Sequence, residues 1–405
     1  MYNITIESLY DAYYDTNRGT ADMIPFSLRI DEEIFNLWRE LRNGTYHIST
    51  TKAFIVRGRK KREIFAMQPR DKIVNHWVKL RLEPLLEEEF EDGCYSCRKG
   101  KGLSAFARDA SAAIRRLTKD YTKPCYLAHL DVCNFFLSID RHLALERALK
   151  IADRYEGEDK PALRWLISEI LLFAPEENYY ICGNPNDWKD YPPEKSMLTN
   201  PGSGLMMGSV NSQFIANLVL TPTDRYAASL GVVILRYVDD ILLLCEDKRQ
   251  LLESVPRIER FLYEDTGLRL HFHKRYFQDS AKGVSIVGYT FKDRRTYISN
   301  RCIGNALNRA HAFKYDQEQA ERFISCINSY LGRTMECRAY NQRAKILDAL
   351  HPEWWQEICA REHLRKIEKR RKKPIFVQND FGRIIPASRR GAGRIADRGA
   401  NPGCD

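Results

Sequence analysis

Residues 232–244 read Val232-Val233-Ile234-Leu235-Arg236-Tyr237-Val238-Asp239-Asp240-Ile241-Leu242-Leu243-Leu244, and this stretch constrains the fold of the 405-residue chain most sharply. Two short apolar segments flank a tight polar junction, which is the pattern of a β-hairpin. The junction carries two adjacent carboxylates. At ~4 Å and an effective dielectric of about 20, two like charges cost about 4 kcal/mol. Burial between apolar strands pushes one of them toward protonation unless a cation sits there. A divalent cation relieves the repulsion, and Mg²⁺ takes carboxylate oxygens together with substrate phosphates. A solvated Asp-Asp turn between strands is the plain alternative.

A metal pair for phosphoryl transfer needs a further carboxylate from another strand. Tyr126-Leu127-Ala128-His129-Leu130 reads as a strand, and it runs into Asp131-Val132-Cys133-Asn134-Phe135-Phe136. Alone, Asp131 would be a cap or turn residue. Beside Asp239 and Asp240 it becomes their partner, with the two aromatics placed to line a sugar pocket.

Taken in order, these motifs resemble those of reverse transcriptases. Asp131 with Phe135-Phe136 resembles the first palm motif, and Tyr237-Val238-Asp239-Asp240 the palm hairpin. Gly204-Leu205-Met206-Met207-Gly208-Ser209-Val210-Asn211-Ser212-Gln213 is similar to the template- and nucleotide-contacting segment between them. Gly267 to Lys274 resembles the next motif, and Val284-Ser285-Ile286-Val287-Gly288-Tyr289 the primer-grip hairpin. Upstream, Lys60-Lys61-Arg62-Glu63-Ile64-Phe65-Ala66 and Pro69-Arg70-Asp71-Lys72-Ile73-Val74 resemble fingers segments. The likeness covers roughly residues 1 to 350.

Within that family the sequence is most similar to the enzymes of diversity-generating retroelements. The Ser212-Gln213 ending, Arg98-Lys99-Gly100-Lys101-Gly102, Asp187-Trp188, Pro192 to Ser196, Ser280 to Val284 and Arg295-Thr296-Tyr297 resemble that branch. Met207 stands where the branch carries a β-branched aliphatic residue, and Ser209-Val210-Asn211 where it carries Asn-Leu-Thr. Other lifestyles, an antiphage-defence or intron-type enzyme among them, and a non-catalytic RNA-binding scaffold stay open as alternatives.

The resemblance implies an α+β, right-hand polymerase fold: fingers, a palm with an antiparallel sheet, and a helical thumb. It implies N-terminal helices and fingers over 1–124, palm over 125–150, an insert over 151–203, palm again over 204–293, thumb over 294–368 and a basic, disordered tail over 369–405. The catalytic residues would be Asp131, Asp239, Asp240 and Lys274, with Lys274 donating a proton to pyrophosphate. Two Mg²⁺ ions, with Mn²⁺ as a substitute, would bind Asp131, Asp239, Asp240 and the Val132 carbonyl. Lys61, Arg62, Arg70, Phe135, Phe136, Met207 and Gln213 would meet the nucleotide, and Phe136 would exclude a ribose 2′-hydroxyl. Tyr237, Gly288, Tyr289, Arg98, Lys99 and Lys101 would meet primer or template. Partners would be template RNA, the RNA/DNA duplex, dNTPs and a small basic helical accessory protein. Met207 replaces a hydrogen-bonding Gln with flexible apolar packing, which implies error-prone copying, and the resemblance to the branch implies that the errors fall at template adenines.

Composition suits such partners. Net charge is +10 and the pI is near 9.0, as expected for a protein that binds a polyanion. Residues 361–405 hold 13 Lys and Arg against 5 Asp and Glu, densest at Lys369-Arg370-Arg371-Lys372-Lys373. A solvated tail and a phosphate-binding tail are both compatible with that run. The chain has 11 cysteines, and Cys94-x-x-Cys97 has no second pair to complete a zinc site. Free thiols in a reducing cytoplasm are expected, and no apolar run reaches membrane-span length.

Hydrophobic periodicity predicts helices over 4–14, 27–43, 71–90, 103–117, 141–152, 159–173 and 213–229, and a helical pattern through 301–365. Extended segments are predicted over 45–56 and 63–67.

Overall fold

The computed structural model describes residues 1–57 and 61–370, together with the backbone of 376–378 and 384–386. Lys60, Arg371, Lys372, Lys373 and the Gly/Ala/Arg-rich stretch 389–403 lie outside the described residues. Within the described residues no helix is long and apolar enough to cross a membrane. The chain divides into two units. One comprises residues 1–301 with 335–338, the other 302–334 with 339–405.

The first unit begins with three helices, α1 (Ile6–Asp15), α2 (Met23–Ser27) and α3 (Ile30–Asn43). Asp31, Glu32 and Glu33 occupy the first turn of α3, where carboxylates favour the helix dipole. Gly44 closes its end in a left-handed conformation. A hairpin follows, β1 (Thr51–Val56) and β2 (Arg62–Ala66), and then the long helix α4 (Pro69–Glu89). After α5 (Leu103–Leu117) come β3 (Tyr126–Asp131), the short α6 (Phe135–Ser138), α7 (Arg141–Ala152), α8 (Lys160–Leu172) and β4 (Tyr179–Ile181). β4 pairs in parallel with β1.

α9 (Val210–Ser229) leads to the hairpin β5 (Val233–Tyr237) and β6 (Asp240–Cys245). The expected helix over 213–229 therefore starts three residues earlier. α9 is buried along most of its length from Asn211 to Ala227 and packs on β5, α4 and α7. α10 (Lys248–Thr266), capped by Asp247 and Gly267, has no counterpart among the expected helices. β7 (Tyr276–Asp279) completes a four-stranded antiparallel sheet of order β5-β6-β3-β7. The two central strands, β3 and β6, are almost wholly apolar until each reaches an aspartate at the same end. A meander of β8 (Val284–Ile286), β9 (Tyr289–Lys292) and β10 (Arg295–Ile298) follows.

In the second unit, α11 (Asn300–Ala312), α12 (Ala320–Gly332), α13 (Tyr340–Asp348) and α14 (Trp354–Glu357) surround a core of Phe323, Ile327, Leu331, Ile346, Leu347 and Trp354. The Trp354 ring stacks on Phe323 at 3.8 Å. The helical expectation stops at residue 357. Ile358–Arg361 (β11) and Lys366–Lys369 (β12) form a hairpin instead, with Ile358 and Ile367 buried on one face. The tail expected to be disordered from 369 likewise contains paired strands, β13 (Phe376–Gln378) and β14 (Ile384–Pro386). Strands of three or four residues are too short to show an apolar alternation that stands out from a solvated tail.

The β1–β2 hairpin is fixed by a buried carboxylate. Glu63 is 1% exposed, yet Oε1 accepts hydrogen bonds from Trp188 Nε1 (3.0 Å) and Ser196 Oγ (2.6 Å), and Oε2 from the Met197 N–H (2.8 Å). The segment around Asp187-Trp188 and Ser196 is thereby tied to β2. Glu63→Ala should leave two buried donors and one part-buried donor without their acceptor and lower unfolding free energy by about 2–4 kcal/mol in denaturant titration. Glu63→Gln should cost less.

Candidate active site

Strand register builds the site. Asp131 pairs across the sheet with Asp240, and Tyr237 closes the hairpin opposite Asp240, leaving Val238 and Asp239 as a two-residue turn. All three aspartates therefore stand at one end of the sheet. The Val132 N–H donates to the Asp239 carbonyl at 3.2 Å, which staples the turn to the end of β3. The segment from Gly267 is laced onto the same end. The His271 N–H donates to the Asp131 carbonyl at 2.7 Å, and the Cys133 N–H donates to the Arg269 carbonyl at 2.8 Å. This lacing brings Lys274 onto the Asp131 carboxylate as an ion pair.

The carboxylates repel one another. Burial, then the charges of Asp240 and Asp131, raise the Asp239 carboxyl to about 6, with Lys274 opposing. His129, two residues before Asp131 on β3, places Nε2 2.8 Å from Asp240 Oδ1. Sequence reasoning did not single out His129, although a strand's period of two puts it on the face of Asp131. The donor set suits a hard divalent cation: three carboxylates, one of them destabilised as an anion by its neighbours. Among the described residues, no three His, Cys, Asp or Glu side chains are gathered into a ready ion cage. Asp131 is turned to Lys274 and Asp240 to His129, so loading an ion requires both carboxylates to turn.

The Gly204–Gln213 segment passes close by. Gly204 has φ +86°, and a Cβ there would meet Leu137 Cα at 2.8 Å. Gly208 has φ +126°, and a Cβ there would meet the Phe65 carbonyl oxygen at 2.8 Å. Only glycine fits either approach. The Met207 carbonyl accepts from the Phe65 N–H at 3.3 Å, so Met207 is fixed against β2. Ser209 Oγ donates to Asn75 Oδ1 at 2.7 Å, and Asn211 Nδ2 donates to the Asn75 carbonyl at 2.9 Å, all buried. The Ser209-Val210-Asn211 departure is thus matched by Asn75, a polar residue inside α4 that the sequence reading passed over. Gln213 is exposed and takes a contact from Cys97 Sγ at 2.7 Å.

Other expected contacts divide by burial. Arg62 and Lys99 are exposed. Phe136 is half-buried against Phe135, at a ring distance of 5.4 Å. Lys61 is partly held by Asp187 and Asp190, Arg70 is paired with Glu40, and Lys101 Nζ donates to the Asp92 carbonyl at 2.9 Å. Three assignments need correction. The Arg98 guanidinium serves Glu87 and the Glu91 and Cys94 carbonyls, at 2.7 and 3.0 Å for the latter two, with a side chain 7% exposed. Phe135 and Tyr289 are core side chains, 3% and 1% exposed. None of the three presents a free side chain to nucleic acid. Tyr237 packs edge-on against Phe106 at 6.4 Å, and Gly288 turns the chain at φ +91°.

The raised Asp239 carboxyl has a signed consequence. A folded-state value near 6, above the unfolded one, penalises folding at pH above 6, and the penalty vanishes below the unfolded value near 3.8. Asp239→Asn removes that penalty. Without added divalent ions it should raise unfolding free energy by about 1–3 kcal/mol at pH 7.5 and by much less at pH 4. Denaturant titration at the two pH values checks this.

Telomerase structures match the chain at low identity and with TM-scores below 0.5. A C-terminally truncated apo telomerase from Candida tropicalis matches at 12% identity and TM-score 0.45, covering 62% of this chain and 55% of that one. Candida albicans telomerase in complex with a fragment of telomeric RNA matches at 10% and 0.45, covering 76% and 60%. Another apo telomerase structure from Candida tropicalis matches at 10% and 0.46, covering 79% and 60%. The chain spans little more than half the length of these telomerase chains. No curated protein matches it. Residues 57–291, more than half of the sequence and the span that holds all three aspartates, match the reverse transcriptase (RNA-dependent DNA polymerase) family, and the chain belongs to that family, with its right-hand polymerase fold.

Proposed function

We propose that the chain is an RNA-directed DNA polymerase that extends a primer along a template RNA, with Asp131, Asp239 and Asp240 at its centre. The observation that carries this is register: Asp131 lies directly across from Asp240, with Asp239 in the adjoining turn. Divalent ions, two Mg²⁺ in this reading, would be held by the three carboxylates and the Val132 carbonyl. They would supply activation of the primer 3′-hydroxyl and neutralisation of the transferred and leaving phosphates.

The chain's own groups do the rest. Lys274, part-exposed and lying on Asp131, is placed to give a proton to the leaving pyrophosphate once it releases that carboxylate. Arg62, with Lys61, offers positive charge to the triphosphate. Phe136 stands five residues beyond Asp131 with its ring half-exposed, and it would exclude a 2′-hydroxyl. Met207, held at its carbonyl by β2, would pack on the nascent pair without offering it a hydrogen bond.

Within the family, the reading supported best is a diversity-generating retroelement enzyme with error-prone synthesis at template adenines. Ser212-Gln213 and the Trp188–Ser196 segment bound to Glu63 support the branch, and Met207, though it departs from the branch's β-branched residue, supports error-prone copying because it offers no hydrogen bond. Template RNA, the RNA/DNA duplex, dNTPs and a small basic accessory protein are the proposed partners. Another reverse-transcriptase lifestyle, or a scaffold that binds RNA without copying it, would give different products.

Sequencing cDNA made by the purified protein from a defined RNA, with the accessory protein supplied, separates these readings. Asp239→Ala should reduce cDNA by about a thousandfold or more. Changes in the cDNA should concentrate at template adenines, and Met207→Gln should reduce them by about 3–10-fold. Faithful cDNA would move the enzyme to another lifestyle. RNA binding with no cDNA under any condition would leave the scaffold.

A further inference from the structure

A two-residue hairpin turn needs positive φ at its first central residue, a place usually taken by Gly or Asn. Here it is Val238, at φ +60°. A β-branched side chain in that region is held against its preference by ~1–3 kcal/mol, and persists only where its surroundings enforce it. The enforcing groups are visible. The Val238 N–H donates to Ser96 Oγ at 3.2 Å, and the Val238 carbonyl accepts from Arg236 Nη1 at 3.1 Å.

Both partners are themselves locked. Ser96 Oγ donates to Asn217 Oδ1 at 2.8 Å, and Asn217 Nδ2 donates back to the Ser96 carbonyl at 2.8 Å. Arg236 Nη1 also donates to Asn217 Oδ1 at 3.0 Å. Asp224 grips the guanidinium from the other side, accepting from Nε at 2.9 Å and from Nη2 at 2.7 Å. Ser96, Asn217, Asp224 and Arg236 are each at most 2% exposed. The backbone repeats the contact. The Arg236 N–H donates to the Gly93 carbonyl at 2.7 Å and the Tyr95 N–H to the Arg236 carbonyl at 2.9 Å. A Cβ on Gly93 would meet the Ile234 carbonyl oxygen at 2.3 Å, so the strap 93–96 lies hard against β5.

An ion pair buried this deeply adds little net stability over apolar packing of the same volume. Its use lies in where the network ends. We infer that Ser96, Asn217 and Arg236 are positioning residues for polymerisation: they hold Val238 in its left-handed conformation and so set the direction of Asp239 and Asp240, while Asp224 fixes Arg236. The inference rests on the hairpin being the catalytic centre. Without the Ser96 hydroxyl, the Val238 N–H loses its acceptor, the turn relaxes toward conformations valine prefers, and Asp239 swings with it. Glycine at 238 adopts positive φ without strain and does not need the lock.

That difference makes a double-mutant cycle decisive, because a role in bulk folding would not depend on residue 238. Primer extension on a defined RNA template is measured for wild type, Ser96→Ala, Val238→Gly and the double variant, with melting temperatures alongside. Ser96→Ala should lower kcat by about 10-fold with KM for dNTP changed by no more than about 2-fold. In the Val238→Gly background the same substitution should cost about 2-fold or less. Ser96→Cys, nearly isosteric, should fall between the two and serves in the same cycle where Ser96→Ala melts too low to assay. An equal penalty in both backgrounds, or wild-type kcat in a well-folded Ser96→Ala, would overturn the inference alone. A wild-type protein that makes no cDNA would overturn it together with the catalytic reading.

Discussion

Three carboxylates crowded at one end of an apolar sheet are the constraint around which the first unit is organised. The β3–β6 pairing buries Leu127, Ala128, Leu130 and Ile241 through Leu244, and that apolar pairing is what can hold like charges together. Burial and the repulsion together surface in the raised Asp239 carboxyl, which Lys274 on Asp131 opposes, while His129 is hydrogen-bonded to Asp240. A centre of this kind trades stability for charge placed in advance.

Buried polar anchors recur wherever a functional segment must be held to a particular path. Glu63 binds the 188–197 segment to the strand that begins with Arg62. Asn75 holds Ser209 and Asn211, just past Met207. Arg236, Asn217 and Ser96 hold the Val238 turn. In each case a buried polar network, which apolar packing could replace as a whole at little cost in stability, supplies directional bonds instead. Apolar packing alone leaves such segments able to slide.

The site was legible in the sequence because its chemistry is written in strong contrast: carboxylates against unbroken apolar runs at Asp131 and at Asp239-Asp240. Most of the long helices were legible from their apolar periodicity, and α10 was the exception. The anchors were not, because a polar residue within an apolar helix or strand reads as exposed until its partner is known, and those partners lie far away in sequence. Arg236 carried a signal that was missed, since an arginine inside an apolar strand requires a buried counter-ion. Arg98 misled in the opposite direction. Within a basic cluster it resembles a phosphate contact, yet Glu87 and the Glu91 and Cys94 carbonyls of the loop after α4 consume its donors. The β11–β12 hairpin escaped notice because its strands are four residues each and β12 has only one apolar residue, Ile367.

The most direct test of the central claim, that Asp131, Asp239 and Asp240 jointly hold the catalytic cation, is a crystal structure of the protein soaked in Mn²⁺ and phased on the anomalous signal of manganese. Anomalous density within coordination distance (about 2.0–2.3 Å) of all three carboxylates is the expected result, with Lys274 displaced from Asp131 and His129 from Asp240. Full occupancy of Mn²⁺ elsewhere, with the Lys274–Asp131 and His129–Asp240 pairs undisturbed, would contradict it.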